Sequence, residues 1–377
     1  MPAKSRPDAS GELALIERIR ARAAGLRAPD VKLGIGDDCA ILRPRPGEEI
    51  VVTTDLSLEG RHFRRNWHPA ASIGHRALAR GLSDIAAMGA RPVAAFLSLA
   101  LPREVARDSA WLDGFLDGLL ALARLHGVAL AGGDTSEAPG EHIIADIMVL
   151  GAAPTGRALR RSGARAGDVL YCTGALGGAS AELEHFPCCW GSRNSGAAAF
   201  SLRKTPIKVA ALDYTHRENA LAALAAKPSR FKNAKPGGDH PHLFPNPRLA
   251  AGQALLRRKL ATACIDMSDG LSTDLAHLCA ASSVSAEITA SALPLHPLAE
   301  ALTPEARMHA ALHGGEDYEL LFTARPSTRM PRKLGGVAIT PIGRIVAQRQ
   351  KSAAIVLVDA EGRRTALEPQ GWEHFRA

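Results

Sequence analysis

Acidic residues beside glycine, serine or threonine recur along this sequence in a pattern that suits metal and phosphate chemistry. Asp37 and Asp38 follow the run VKLGIG, Asp55 follows Thr53 and Thr54, Asp134 follows two glycines, and Asp266 and Asp269 flank Ser268. Asp84 falls on or near a helical stretch. One acidic turn is ordinarily a solvated loop or a helix cap. Several of them at the ends of apolar runs are expected to gather, because ligand sites of α/β folds collect at strand ends. Clustered carboxylates repel one another unless cations neutralise them. An oxygen-only donor set without Cys/His ligand spacing favours Mg2+ over zinc. Magnesium held by a few carboxylates and by substrate phosphates is the usual arrangement for phosphoryl transfer.

Other phosphate signatures are missing from the sequence: there is no GxxxxGK P-loop and no protein-kinase catalytic loop or DFG set. GIGDDC departs from the dinucleotide pattern GxGxxG, and no GxSxG elbow marks a hydrolase. A nucleotide would therefore be held through metals on carboxylates and a few basic residues. Arg157, Arg160 and Arg161 in GRALRRSG offer either a cation for phosphate or a solvent-facing basic turn.

The elements that must position these residues are legible in outline. Helical spacing predicts amphipathic helices over 11–24, 70–88 and 104–126, the last stopped by Gly127. Strands are expected over 50–55, 93–101, 128–134 and 143–151, with the apolar runs breaking at their aspartates. Residues 154–168, rich in Gly, Arg and Pro, read as a junction between a first domain, 1–153, and a second, 154–377. The second half opens with a strand over 168–173 and the turn GALGG, and later carries IDMSDGL and GGEDYEL. Strands alternating with helices in both halves predict an α/β or α+β architecture.

Composition narrows the class. A chain of 377 residues carries two domains as its prior, and 46% apolar with 22% charged residues is ordinary for a globular protein. No apolar stretch approaches the ~20 residues of a membrane span. The polar start MPAKSRPDAS and six cysteines without a CxxC pair point to a cytoplasmic protein without a disulfide scaffold. The net charge of +8 resides mostly in residues 186–240, which hold nine Lys/Arg against three Asp/Glu. Aromatics interleave with these basic residues, as in single-strand nucleic-acid binders. No motif specifies such a ligand, however, and the segment reads as a basic insertion with a short helix near 207–226. No nucleic-acid or membrane partner is expected.

The ordered set GIGDDCA, TTD with His62 seven residues on, LSDIAAMGA, GGDT, GRALRRSG, IDMSDGL, GGEDYEL and the terminal GWEHF resembles the thiamine-monophosphate kinase family. The resemblance covers about 10–185 and 241–377. Related ATP-using enzymes, such as aminoimidazole ribonucleotide synthetase, selenophosphate synthetase and the hydrogenase-maturation dehydratase, share parts of it. His62, LSDIAAMG and GWEHF favour the thiamine family. The resemblance implies ATP-dependent phosphorylation of thiamine monophosphate to the diphosphate by direct in-line transfer. It also implies a two-domain aminoimidazole ribonucleotide synthetase-like fold, with N-terminal domains pairing into a β-barrel at a homodimer interface.

By motif matching, the resemblance assigns Mg2+ to Asp38, Thr53, Thr54, Asp55, Asp84, Asp134, Asp266 and Asp269. It assigns ATP to Gly133, Asp134, Arg161 and Ser268, and thiamine phosphate to His62, Glu316 and Trp372. Asp55, Asp84, Asp134 and Arg161 would carry the reaction. Two departures stand out. Glu184 is followed by the insertion where the family usually has a short helical stretch, and GALGGASAEL lacks the aspartate often found after its glycine turn.

Overall fold

The computed structural model describes residues 12–26, 28–184, 240–348 and 355–371. The expected helix over 207–226 and Trp372 lie outside the described residues.

After helix α1 (Glu12–Ala23) and the short strands β1 (Val31–Leu33) and β2 (Ile41–Leu42), the first half builds one sheet. Its members are β3 (Glu48–Leu58), β4 (Arg91–Leu101), β5 (Ala129–Glu137) and β6 (Ile144–Pro154), in the order β3-β6-β4-β5. β6 runs antiparallel to both its neighbours, and β4 and β5 run parallel. Helices α2 (Ala70–Ala87) and α4 (Ser109–His126) cover one face. They approach closely because glycines meet backbone. A Cβ on Gly74 would collide with the carbonyl oxygen of Phe115, and one on Gly118 with that of Ala71.

Two sequence expectations are corrected in this half. The helix expected over 104–126 is broken into α3 (Arg103–Arg107) and α4, because Asp108 leaves helical geometry and its carboxylate accepts from the amides of Ala110 and Trp111. Gly127 ends α4 at φ 64°, as its position predicts. The strands also do not break at their aspartates: Asp55 lies within β3 and Asp134 within β5. In a sheet with one covered face, a polar residue can sit mid-strand on whichever face meets solvent or a polar partner.

The second half is an eight-stranded mixed sheet of order β14-β13-β9-β12-β7-β10-β8, with β11 beside β12. Its strands are β7 (Val169–Thr173), β8 (Ala263–Asp266), β9 (Val284–Thr289), β10 (Leu320–Ala324), β11 (Lys333–Leu334), β12 (Val337–Ala347), β13 (Ile355–Val358) and β14 (Arg364–Ala366). All pairs are antiparallel except β13 with β9. Its helices are α5 (Gly178–Glu184), α6 (Leu249–Arg257), α7 (Leu271–Ser282), α8 (Pro297–Glu300) and α9 (Pro304–His313). The α+β alternative of the sequence reading therefore describes this half.

One apolar core crosses between the halves. It joins Leu78, Leu82 and Ile85 of α2 and Phe115, Leu116 and Leu119 of α4 to Leu255 of α6, Cys264 of β8 and Phe322 of β10. A second core lies on the other side of the large sheet, under Leu271, Leu275 and Leu278 of α7. Helix α2 is thus wedged between the two sheets and buried on nearly every side. A polar residue on α2 can reach either half.

Candidate active site

Helix α2 exploits that position through residues 76, 80, 83 and 84, whose spacing brings them to neighbouring turns of one side. The Thr53 hydroxyl on β3 donates to Asp84 Oδ2 at 2.5 Å. The Ser83 hydroxyl donates to Asp266 Oδ2, at the end of β8, at 2.7 Å. Arg80 pairs with Asp55 Oδ1 at 2.6 Å. The first sheet, α2 and the second sheet therefore bring Thr53, Asp55, Asp84 and Asp266 into one polar seam. Burial raises the Asp84 carboxyl, and the charge of Asp55 adds to this against the Thr53 hydrogen bond. Burial, then the charge of Asp84, pushes Asp266 up to about 7. Arg161 is exposed, and its charge stabilises both carboxylates. A buried carboxylate and a partly buried one that repel each other, each with a hydroxyl donor, fit a hard divalent cation, which would relieve both the repulsion and the desolvation.

The loop after β8 extends the seam. The amide of Asp269 donates to Asp274 Oδ2 at 3.0 Å, and Asp274 is buried in the first turn of α7. Burial, then the charges of Asp266 and Asp269, holds Asp274 well above the usual carboxylate range. Ser268 offers its carbonyl to the amide of Glu316 at 2.8 Å. Nearby, the amides of Gln370 and Gly371 donate to Ser272 and Thr273 of α7, which anchors the chain just before residue 372.

Glu316 stands at φ 68°, in the left-handed region that a side chain normally avoids. Its carboxylate takes Arg76 Nη2 at 2.7 Å and faces His242 Nδ1 at 3.0 Å. Burial works to raise it, but Arg76 and His242 hold it well below the ordinary glutamate range. Its neighbours in GGEDYEL do structural work: Asp317 accepts from the amides of Gly177 and Ala179 at the start of α5, and Glu319 holds Arg248 and the Thr173 hydroxyl. His62 Nδ1 accepts from the amide of Leu58 at 2.9 Å, so its ring proton resides on Nε2. Arg76 Nη2 also donates to the His62 carbonyl at 3.0 Å, linking His62 to Glu316.

The remaining sequence candidates fall elsewhere. Register places Leu56, Asp146, Ser98 and Asp134 in one cross-strand row. Asp134 therefore shares the sheet face of Leu56 and Thr54, away from α2, whereas Thr53 and Asp55 face α2. β3 and β5 are opposite edges of the sheet, three strand spacings or about 14 Å apart. Gly133 has φ 148°, and a Cβ there would strike the Leu97 carbonyl, so only glycine fits. Asp38 is exposed in the segment joining β1 and β2, whose Val31, Ala40 and Leu42 pack against Ala131 of β5. Among the described residues, no three His, Cys, Asp or Glu groups lie close enough to form a metal cluster. One chain thus holds two separated acidic groups, Asp55, Asp84, Asp266 and Asp269 with Thr53 at the seam and Asp38 and Asp134 at the β5 edge, while Thr54 stands on the β3 edge facing away from α2.

The sequence reading did not single out Arg76, Arg80, Ser83, His242 or Asp274. Arg76 and Arg80 had a usable signal, since they precede Asp84 by eight and four residues on one helix face. His242 had none, because only the fold brings it to Glu316.

Comparison with known proteins adds a separate line of support. The family described as AIR synthase related protein, N-terminal domain, matches residues 36–153. The thiamine-monophosphate kinase of Escherichia coli (strain K12) is 37% identical over 372 residues, covering 97% of this chain and 99% of that protein. The enzyme of the same description from Bacillus subtilis (strain 168) is 31% identical, covering 92% and 94%. Among solved structures, the thiamine-monophosphate kinase from Stenotrophomonas maltophilia superposes with a TM-score of 0.67 at 33% identity, covering 94% of this chain and 98% of that one. The structure described as AaThiL complexed with AMPPCP and TMP gives 0.65 at 26% identity, covering 99% and 100%. The hydrogenase maturation protein HypE in complex with ATP, at 16% identity, shares the fold, with a TM-score of 0.67 over 98% of this chain and 96% of that one.

Proposed function

This chain belongs to the thiamine-monophosphate kinase family, and on that premise we infer that it phosphorylates thiamine monophosphate to thiamine diphosphate at the expense of ATP. The observation that carries the reading on geometry is the convergence of Asp84, bonded by Thr53, and Asp266, bonded by Ser83, at the meeting of the two sheets. It offers hard oxygen donors, which suits phosphate transfer between two anions.

The acceptor is a phosphate monoester, whose second pKa near 6 leaves it largely ionised at neutral pH. No residue need remove a proton from it. What opposes reaction is repulsion between acceptor and ATP, together with their alignment. Magnesium, when bound to Asp55, Asp84, Asp266 and Asp269, supplies charge neutralisation for the phosphates. Arg161 pairs with phosphate oxygens, Ser268 and Gly133 line the nucleotide, and the Nε2–H of His62 donates to the acceptor phosphate. Glu316 faces the cationic heterocycle of thiamine, and Trp372 is assigned to the same ring. The phosphoryl group passes directly to the acceptor without a phospho-enzyme.

We also propose that the chain acts as a homodimer. The face of the first sheet away from α2 leaves Val52 57% and Leu56 45% exposed, an apolar surface that a soluble chain would be expected to cover. A second copy seated there would close two four-stranded sheets into a barrel, with β5 of one copy beside β3 of the other. Asp38 and Asp134 of one copy would then join Asp55 and Asp84 of the other, completing the divided acidic site.

Incubation with ATP, Mg2+ and thiamine monophosphate tests the activity. Thiamine diphosphate is expected to form only with Mg2+ and to fall by about a hundredfold to a thousandfold in Asp55→Ala. A folded, ATP-binding wild type that forms no product would reject the acceptor.

A further inference from the structure

Behind Glu316 lies a chain of buried groups that the reaction does not consume. Residues 240–245 lie across α2. Glu182 Oε2 takes the amides of His242 at 2.6 Å and Leu243 at 3.2 Å, Ser72 donates to the Leu243 carbonyl at 2.8 Å, and His75 Nε2 reaches the Pro245 carbonyl at 2.8 Å. This fixes the His242 ring between Glu316 and His68. His242 Nδ1 lies 3.0 Å from Glu316 Oε2, and its Nε2 lies 3.0 Å from His68 Nε2. His68 Nδ1 is 3.1 Å from the amide nitrogen of Arg64 and 3.2 Å from its carbonyl oxygen.

The carboxylate end decides where the protons sit. An ionised carboxylate only accepts, so Glu316 Oε2 calls for the His242 proton on Nδ1, which leaves His242 Nε2 an acceptor. The His68 proton then sits on Nε2 and goes to His242 Nε2, and His68 Nδ1 takes the Arg64 amide. The reverse placement would let His68 Nδ1–H donate to the Arg64 carbonyl instead, but it sets the lone pairs of His242 Nδ1 and Glu316 Oε2 against each other. Arg76 Nη1 lies 3.1 Å from His242 Nδ1 but donates to the His242 carbonyl, while its Nη2 serves Glu316 Oε1 and His62. Both rings are neutral in this arrangement. Burial, then the charge of Arg76, pushes His68 down to about 3 and lowers His242 as well.

We propose that His242, backed by His68, is a positioning residue: the directed chain Arg64 N–H, His68, His242 fixes the Glu316 carboxylate toward the acceptor's cationic heterocycle and so sets recognition of the acceptor. The proposal rests on the reading of Glu316 as an acceptor contact. The left-handed backbone at Glu316 supports it, since such geometry persists only where surrounding groups hold it. Arg76 supplies the opposing charge on one carboxylate oxygen, and His242 sets the direction of the other.

The test compares His242→Leu, which removes the donor, with His242→Asn, whose amide N–H can stand where Nδ1–H stood. Loss of one hydrogen bond to a charged group predicts a rise of about tenfold in KM for thiamine monophosphate in the leucine variant, with KM for ATP within about twofold of wild type. The asparagine variant is expected to recover most of the difference. An unchanged acceptor KM in His242→Leu would overturn the proposal. So would equal losses toward both substrates in the two variants, which is what a purely structural role produces. Nitrogen spectra of 15N-histidine-labelled wild type, assigned with these variants, give an independent reading. Neutral Nδ1–H at His242 with Nε2–H at His68 is expected near pH 7, and the opposite tautomers would refute the relay. A wild type that does not turn over thiamine monophosphate rejects the functional reading instead, and the spectra still decide the relay.

Discussion

At the scale of single residues, the seam between the sheets is built for a ligand and not for the stability of the bare chain. Asp266 has an unfolded value near 3.8 and rises to about 7 in the fold. Across that window the folded chain keeps a proton that the unfolded chain has lost, so stability falls as pH rises from about 4 to about 7. Asp84 shifts in the same direction. A bound cation needs both carboxylates ionised, so it removes this penalty most where the penalty is fully expressed. The rise in melting temperature on adding Mg2+ is therefore expected to be larger at pH 8 than at pH 5.5. Asp317, which burial pushes up to about 7, contributes to the total pH dependence but cancels in the comparison with and without Mg2+. Asp266→Asn is expected to stabilise the metal-free protein at pH 8 by about 1–3 kcal/mol while abolishing most of the Mg2+ effect. Thermal melts of both proteins at the two pH values check this, and a Mg2+ shift that is independent of pH would contradict it.

At the scale of elements, α2 carries the site by being packed where almost no helix surface is free. Its glycines make that possible, and they are the reason a small change far from the carboxylates should be felt there. A methyl group on Gly74 meets the Phe115 carbonyl, which is α4 backbone and cannot rotate away, so α2 and α4 must separate. Gly74→Ala is expected to cost about 1–3 kcal/mol and to lower turnover, since Arg76, Arg80, Ser83 and Asp84 move with the helix. Gly140→Ala, where nothing lies within 4 Å, should stay within about 0.5 kcal/mol of wild type. Denaturant unfolding of the two variants separates these outcomes. The sequence made α2 itself readable, because Ile73, Ala77, Leu78, Leu82 and Ile85 repeat at helical spacing. It did not show that the opposite side of the helix is buried too, since periodicity records one apolar face and not a second sheet. Asp108 was missed as a helix start for a related reason. The apolar stripe of 104–126 runs across the break, and a cap inside a continuous stripe leaves no mark in the pattern.

At the scale of the whole molecule, the eight motifs name candidate donors but not which of them one chain brings together. Asp55 follows two threonines and Asp134 two glycines, and nothing in their spacing says that they end on opposite faces and opposite edges of one sheet. Strand register decides that, and register is a property of pairing across the chain. The separation makes the dimer a functional requirement in our reading, in which a second copy would cover the exposed apolar face with Val52 and Leu56 and meet both edge strands. Val52→Asp is expected to leave a folded monomer in light scattering and to remove activity although it touches no donor. A mixing experiment goes further. Asp38→Ala and Asp84→Asn should each be inactive alone. If every site draws Asp38 from one copy and Asp84 from the other, a mixed dimer collects both lesions in one site and leaves the second intact. Random exchange of subunits makes half of the dimers mixed, so activity should return to about a quarter of wild type. If instead each site were complete within one chain, every site in every dimer would carry a lesion, and mixing would restore nothing.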